Sequence, residues 1–387
     1  MLDGMGMRRF VAALAVPLVT VAPLAACDPG SSSEPDGEPT PSSAPESCGE
    51  DYLEDLDDRD RLAQLLMVGV RGSEDAITVV REHHIGGVFI GGWTDVSFLD
   101  DGPIGAMQAA SRIPVMVAID EEGGRVSRVA GLFGAIPSAR ESARTMSPHE
   151  VRALGRERGE QLAGLGITVD FAPVVDVSEQ PDGGVIGDRS YSDDPQTVTE
   201  YATAFAAGLD EAGVLPVIKH FPGHGRASGD SHSGLATTPP LESLREDEFL
   251  PYEQMIGTLP LGVMTGHLEV PGLTPAGEPA SLSPQVIDVL RSGDGGRWAG
   301  HDGVVFTDDL SGMKAITDRH PVPEAVELAL AAGNDIALWL TTDEVPEVLD
   351  HLQAALNSGD LDAEQINRSV LRVAEAKGLL DCDPSSP

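Results

Sequence analysis

The sequence predicts an α/β chain folded as a single (β/α)8 TIM-type barrel, with some irregularity allowed in its first strands. Three observations predict it. Eight short apolar, β-branched runs alternate with amphipathic stretches across about 335 residues. Most of these runs are continuously apolar rather than alternating, as strands buried on both faces require. The polar residues able to do chemistry fall at the C-terminal ends of the runs, where the loops of a barrel converge on one mouth. A doubly wound open sheet shares the alternation but would spread those residues along an edge.

The first element is an address. Arg8 and Arg9 precede an apolar run from Phe10 to Leu24, short for a membrane span and interrupted by Pro17 and Pro23. It ends in Leu24-Ala25-Ala26-Cys27, which looks like a bacterial lipoprotein signal. Residues 1–26 are then removed and Cys27 carries lipid, anchoring the chain on the outer face of the cytoplasmic membrane. Residues 27–47 are nearly all Pro, Ser, Gly, Thr and acid, with nothing to bury, and read as a solvated tether. The folded region is expected over 48–382, with a tail at 383–387. Cys48 and Cys382 stand at its two ends, and in an oxidising compartment they are expected to pair. The chain-entropy model assigns so long a loop roughly 5–6 kcal/mol.

Within that region the strand candidates are Leu66–Val70, Gly87–Ile90, Val115–Asp120, Thr168–Val175, Pro216–His220, Gly262–His267, Gly303–Thr307 and Asp335–Leu340. Helical stretches such as Pro148–Leu165, Val198–Ala212 and Pro323–Ala332 lie between them. Asp120 ends the third strand, Asp176 follows the fourth, Lys219 and His220 end the fifth, His267 ends the sixth and Asp308 follows the seventh. A mouth lined in this way suits a polar, hydroxylated ligand. With 63 acidic against 25 basic side chains, the net charge of −38 argues against a nucleic-acid partner. Three cysteines are too few for a disulfide-built scaffold. Lysine occurs only at 219, 314 and 377, so a lysine inside a motif carries weight.

The densest motif is Lys219-His220-Phe221-Pro222-Gly223-His224-Gly225, followed by Asp230-Ser231-His232. Its histidines match no short zinc spacing, and three consecutive residues do not make a serine triad. An acid–base dyad on a loop fits better: i and i+2 in extended chain share a side, so Asp230 can orient the His232 imidazole. Lys219 and His220 would face opposite sides of a regular strand, so both reach a ligand only if the strand end is irregular. The stretch Gly303–Met313 runs an apolar strand into Asp308-Asp309; one acid can act as a nucleophile while the other caps the next helix, or both can cap. Ile119–Arg128 (IDEEGGRVSR) sets acids, glycines and arginines at a strand end, a hydroxyl-recognising combination rather than a phosphate loop.

Taken together, IDEEGGRVSR, VIGDRSY, KHFPGHG with DSH, VMTGH and VVFTDDLSGM resemble glycoside hydrolase family 3, in its bacterial β-N-acetylglucosaminidase branch, over most of residues 60–380. The resemblance implies the barrel and a two-step retaining mechanism. Asp308 would be the nucleophile and His232 the general acid and base, oriented by Asp230. Asp120, Arg128, Arg189, Lys219, His220 and His267 would hold the terminal sugar, with no metal or organic cofactor. Members acting on glucosides often carry a second domain that supplies a carboxylic acid. The chain ending at Pro387 and the Asp-Ser-His loop both point instead to N-acetylglucosamine. Glu121, where glutamine is commoner, Gly266, where alanine is commoner, and an insertion-like Ser292–Gly300 are departures expected to touch the leaving-group side. The expectation is an exo-acting monomer on peptidoglycan fragments or related glycans. The rivals are a sugar-binding protein without turnover and a phosphorylase using the same covalent step.

Overall fold

Eight strands form the centre of the computed structural model, which describes residues 46–100 and 102–380. They are β1 (Leu66–Gly69), β2 (Gly87–Ile90), β3 (Met116–Ile119), β4 (Val169–Asp170), β5 (Leu215–Phe221), β6 (Gly262–Thr265), β7 (Val305–Thr307) and β8 (Ala337–Trp339). All are parallel, in the order β8-β1-β2-β3-β4-β5-β6-β7. The two ends meet: Phe306 bridges Ile336, and the Thr307 N–H donates to the Ile336 carbonyl at 2.9 Å. Every strand therefore has two neighbours, which makes the sheet a closed barrel and excludes the open one.

The strand positions match the apolar runs because nearly every strand residue is buried on both faces. The irregularity lies elsewhere than expected. β1 and β2 pair evenly, whereas β4 keeps only two ladder residues. Pro173 in the expected strand has no N–H to give, and Asp170 of β4 faces Pro216 of β5, which has none either. β5 slips register against β6 between Lys219 and Phe221, and its Lys219–His220 and Phe221–Pro222 peptides are cis.

Helices cover the barrel. Pro148–Leu165 starts at a capping box formed by Ser147 and Glu150, and Pro195–Glu211 starts from the Asp194 cap. These two helices approach closely: a Cβ at Gly155 would lie 2.5 Å from the Phe205 carbonyl oxygen. Inside the barrel Phe89, Phe171 and Phe306 pack in a row at ring separations of 5.7 and 5.4 Å, flooring the mouth. Just before β8, buried Asp335 accepts from Arg291, Ser369, Arg372 and the Val305 N–H, tying helices to the strand.

The leader 1–26, Cys27, the tether up to residue 45, Cys382 and the tail 383–387 lie outside the described residues. A helix, Glu46–Glu54, opens the described chain and takes in the expected boundary at 47 and 48. Among the described residues no helix is long and apolar enough to cross a membrane.

Candidate active site

The acids after β3 are organised around one lysine. Lys219 is 2% exposed, donates to Asp120 Oδ1 at 2.8 Å and sits 2.6 Å from Glu122 Oε1. Arg189 closes on Glu122 with a two-pronged contact at 2.7 and 2.8 Å. Burial raises the Glu122 pKa, but Arg189 and Lys219 outweigh it and hold the carboxylate below its ordinary value. Burial likewise opposes the Lys219 charge, and Asp120 and Glu122 reverse that and raise its pKa. Arg128 adds a cation 3.6 Å from Asp120. The result is a set of fixed charges with donors and acceptors aimed at hydroxyl groups.

The slip in β5 lets His220 reach the cavity beside Lys219, as the irregular strand end required. His220 Nδ1 lies 2.7 Å from Asp176 Oδ2, and its Nε2 lies 3.4 Å from Arg189 Nη2. Arginine can only donate, so Nε2 accepts and Nδ1 carries the hydrogen. Burial lowers the His220 pKa well below its usual value, and Arg189 adds to the effect. Burial pushes Asp176 up to about 6, against the N–H bonds it accepts from His224 and His220.

After β7 the two adjacent acids separate. Asp309 accepts from the Ser311 N–H, the Ser311 hydroxyl and the Gly312 N–H, each at 2.8 Å, and so caps the turn. Among the described residues Asp308 accepts only the Asp309 N–H, at 2.9 Å, and it lines the cavity, half-buried. Burial would raise its pKa, but His220, His267, that N–H and Lys219 prevail and hold it below the usual carboxylate range. An ionised carboxylate with an open oxygen can act as a nucleophile.

Asp230 Oδ1 accepts both the His232 N–H at 3.0 Å and its Nδ1–H at 2.8 Å. The expected dyad therefore forms, but through a turn over 231–233 rather than an extended chain. Arg226 anchors the loop's start on Glu248 through two contacts, and the Ser231 carbonyl accepts from the Ala315 N–H, joining the loop to the Asp308 segment. The His232 side chain is 61% exposed.

These groups surround one cavity of about 420 Å3. Asp120, Arg128, Arg189, Lys219, His220, Asp230, His232 and Asp308 all line it, as do Glu122, His224 and Trp93. His267 does not. It is fully buried, with Nδ1 on the Ser281 hydroxyl and Nε2 on the Asp309 carbonyl, each at 2.7 Å, so it braces the acid-bearing segment. Asp176 was also visible after the fourth strand, but nothing in the sequence told that it holds His220. None of the three departures lines the cavity. Glu121 turns under the mouth to accept the Arg128 and Val129 N–H groups, and Gly266 abuts His220. Ser292–Gly300 precedes β7, at the opposite end of the barrel. Among the described residues no three His, Cys, Asp or Glu side chains converge as metal ligands.

A closed barrel whose mouth gathers a free carboxylate, an imidazole dyad and a sugar-sized polar pocket defines a glycoside-cleaving class of enzyme. The chain belongs to glycosyl hydrolase family 3: the model of the family's N terminal domain matches residues 58–376. It is 54% identical to Beta-hexosaminidase LpqI of Mycobacterium tuberculosis over 341 residues, 88% of this chain and 87% of that protein. The solved structure of M. tuberculosis LpqI superposes with a TM-score of 0.83 at 55% identity, covering 88% of this chain and 98% of that one. A family 3 β-N-acetylglucosaminidase from Paenibacillus sp. matches at 32% identity and a TM-score of 0.78, over 86% of this chain and 64% of that one.

Proposed function

We propose that this chain is an exo-acting, retaining β-N-acetylglucosaminidase. The observation that carries the reading is the pairing, across one cavity, of an ionised and uncommitted Asp308 with the Asp230–His232 dyad. In the first step Asp308 attacks the anomeric carbon while His232 gives its proton to the departing glycosidic oxygen. In the second, His232 takes a proton from water, which displaces Asp308 and frees the sugar. Retaining glycosidases commonly use two carboxyl groups. An imidazole in the second role can both donate and accept near neutral pH, as the two steps demand. Asp120, Arg128, Arg189, Lys219 and His220 hold the terminal sugar. Relatives named β-hexosaminidases and β-N-acetylglucosaminidases support the choice of sugar.

The lipoprotein-like leader supports a lipid anchor on the outer face of the cytoplasmic membrane, where the enzyme would meet peptidoglycan fragments. The test is release of aryl alcohol from an aryl β-N-acetylglucosaminide by residues 47–387, beside the β-glucoside and an Asp308→Ala control. Strong release from the first substrate alone, lost in the variant, is expected. Sugar 1-phosphate formed in phosphate buffer would replace the hydrolase with a phosphorylase. Sugar binding without turnover would leave a binding protein. Muropeptides left uncut while chitobiose is cleaved would remove the cell-wall role.

A further inference from the structure

Trp93 is 45% exposed, yet it is not a loose surface side chain. It follows β2 on a turn closed by Thr94, whose hydroxyl accepts the Gly91 N–H at 3.1 Å and donates to the Val70 carbonyl at 2.7 Å. The six-membered part of the indole lies in a slot cut by two glycines. A Cβ at Gly91 would fall 2.3–2.5 Å from three of its carbons, and one at Gly69 would fall 2.8 Å from Cζ2. The ring of Phe89 backs it at 5.9 Å. The chain thus leaves two side chains out to seat one indole rigidly at the edge of the catalytic cavity.

The depth of this seat decides what it meets. The polar groups for the terminal sugar are deep, Lys219 at 2% and His220 at 5% exposed. Trp93 lines the same cavity and is far more exposed than they are, as is His232. The group that His232 protonates lies outward of the cleaved bond, so an exposed aromatic surface on the same cavity meets the departing part of the substrate. A β-linked pyranose of gluco configuration carries its substituents equatorially and offers a face of axial C–H bonds, which packs on an aromatic face. A ring already held in place loses little rotamer freedom on binding.

Resting on the glycosidase reading above, we infer that Trp93 is the platform for the leaving sugar and selects a pyranose as leaving group. The test compares chitobiose with N-acetyl-β-glucosaminyl fluoride, whose leaving group has no face to stack, in wild type, Trp93→Ala and Trp93→Phe. Stacking of ordinary strength is worth about three- to tenfold in kcat/KM. Trp93→Ala is expected to lose that much on chitobiose and stay within about twofold on the fluoride, and Trp93→Phe to recover part of the loss. Thermal melting verifies that the variants are folded. Equal losses on both substrates would assign Trp93 to the terminal sugar or to the barrel and overturn the inference. No loss on either would overturn it too. A wild type silent on both substrates would overturn the glycosidase reading itself, a result distinct from any effect of the substitution.

Discussion

Replacing Asp176 by Asn probes the wall behind the sugar pocket. The carboxylate is 1% exposed and accepts the His224 N–H at 2.6 Å, the His220 N–H at 3.3 Å and His220 Nδ1–H at 2.7 Å. Asn has one acceptor oxygen where Asp has two. If that oxygen keeps the backbone N–H groups, the amide NH2 faces Nδ1 and the imidazole hydrogen must move to Nε2, which then confronts Arg189 Nη2 at 3.4 Å. If the amide turns over, its NH2 faces the His224 N–H instead. Either way a buried donor goes unpaired, at about 1–3 kcal/mol. The share of that cost met only once the bound sugar excludes water from the pocket appears in kcat/KM, a fall of up to about 150-fold at the upper end.

Stability should move differently. The Asp176 pKa of about 6 in the fold lies above the ordinary 3.8. A raised pKa stabilises the fold fully below the unfolded value and loses that contribution as pH rises through the folded one. At pH 7 the ionised carboxylate therefore costs the fold about 3 kcal/mol, which Asn removes, offsetting the unpaired donor. The expected result is a Tm at pH 7 close to wild type with kcat/KM reduced, and loss of any acid limb near pH 6. Aryl β-N-acetylglucosaminide kinetics from mildly acidic to mildly basic pH, with melts on the same samples, measure both. An Asn variant with unchanged kcat/KM, or one whose activity falls only in step with a large drop in Tm, would refute the tautomer argument.

Other substitutions separate chemistry from scaffolding. His232→Ala should leave the melting curve intact, because the side chain is mostly exposed. It should cut kcat/KM by about 10²–10⁴ for a poor leaving group and far less for an activated dinitrophenyl one, which needs no proton. Glu122→Gln takes the counter-charge from Lys219 and Arg189 and should cost about 3–5 kcal/mol in denaturant unfolding at pH 7. Because the Glu122 pKa is held below its usual 4.5, its contribution is present above that value and lost as pH falls through the lower folded one, so the gap to wild type should close in acid. Asp335→Asn, far from the mouth, should lower stability while KM stays put; a raised KM would mean that the knot before β8 reaches the site.

The strands were legible because they are buried on both faces, so apolar runs marked them, and the closed barrel was legible from the polar residues gathered at their C-terminal ends. The exception has a local cause: Pro173 and Pro216 withhold the N–H groups that would have extended β4. The pocket was legible where chemistry sits at strand ends, and less so where a role depends on a partner far along the chain. Glu122 is one acid among several until Lys219 and Arg189, 97 and 67 residues on, are seen to share it. (The lysine was the available clue, since a buried cation needs carboxylates.) The Asp230–His232 spacing pointed to the right contact through the wrong backbone, because an Asp reaches the second N–H ahead in a turn as readily as along a strand. His267 and Asp308 show what position alone leaves out. Both sit at the C-terminal end of a barrel strand, and both were expected to meet the sugar, His267 by holding it and Asp308 by attacking it. Ser281 and the Asp309 carbonyl consume the two ring nitrogens of His267, whereas among the described residues Asp308 accepts a single N–H and keeps an oxygen open to the cavity. A strand end nominates a residue for the site; the account of its hydrogen bonds decides whether it can touch substrate.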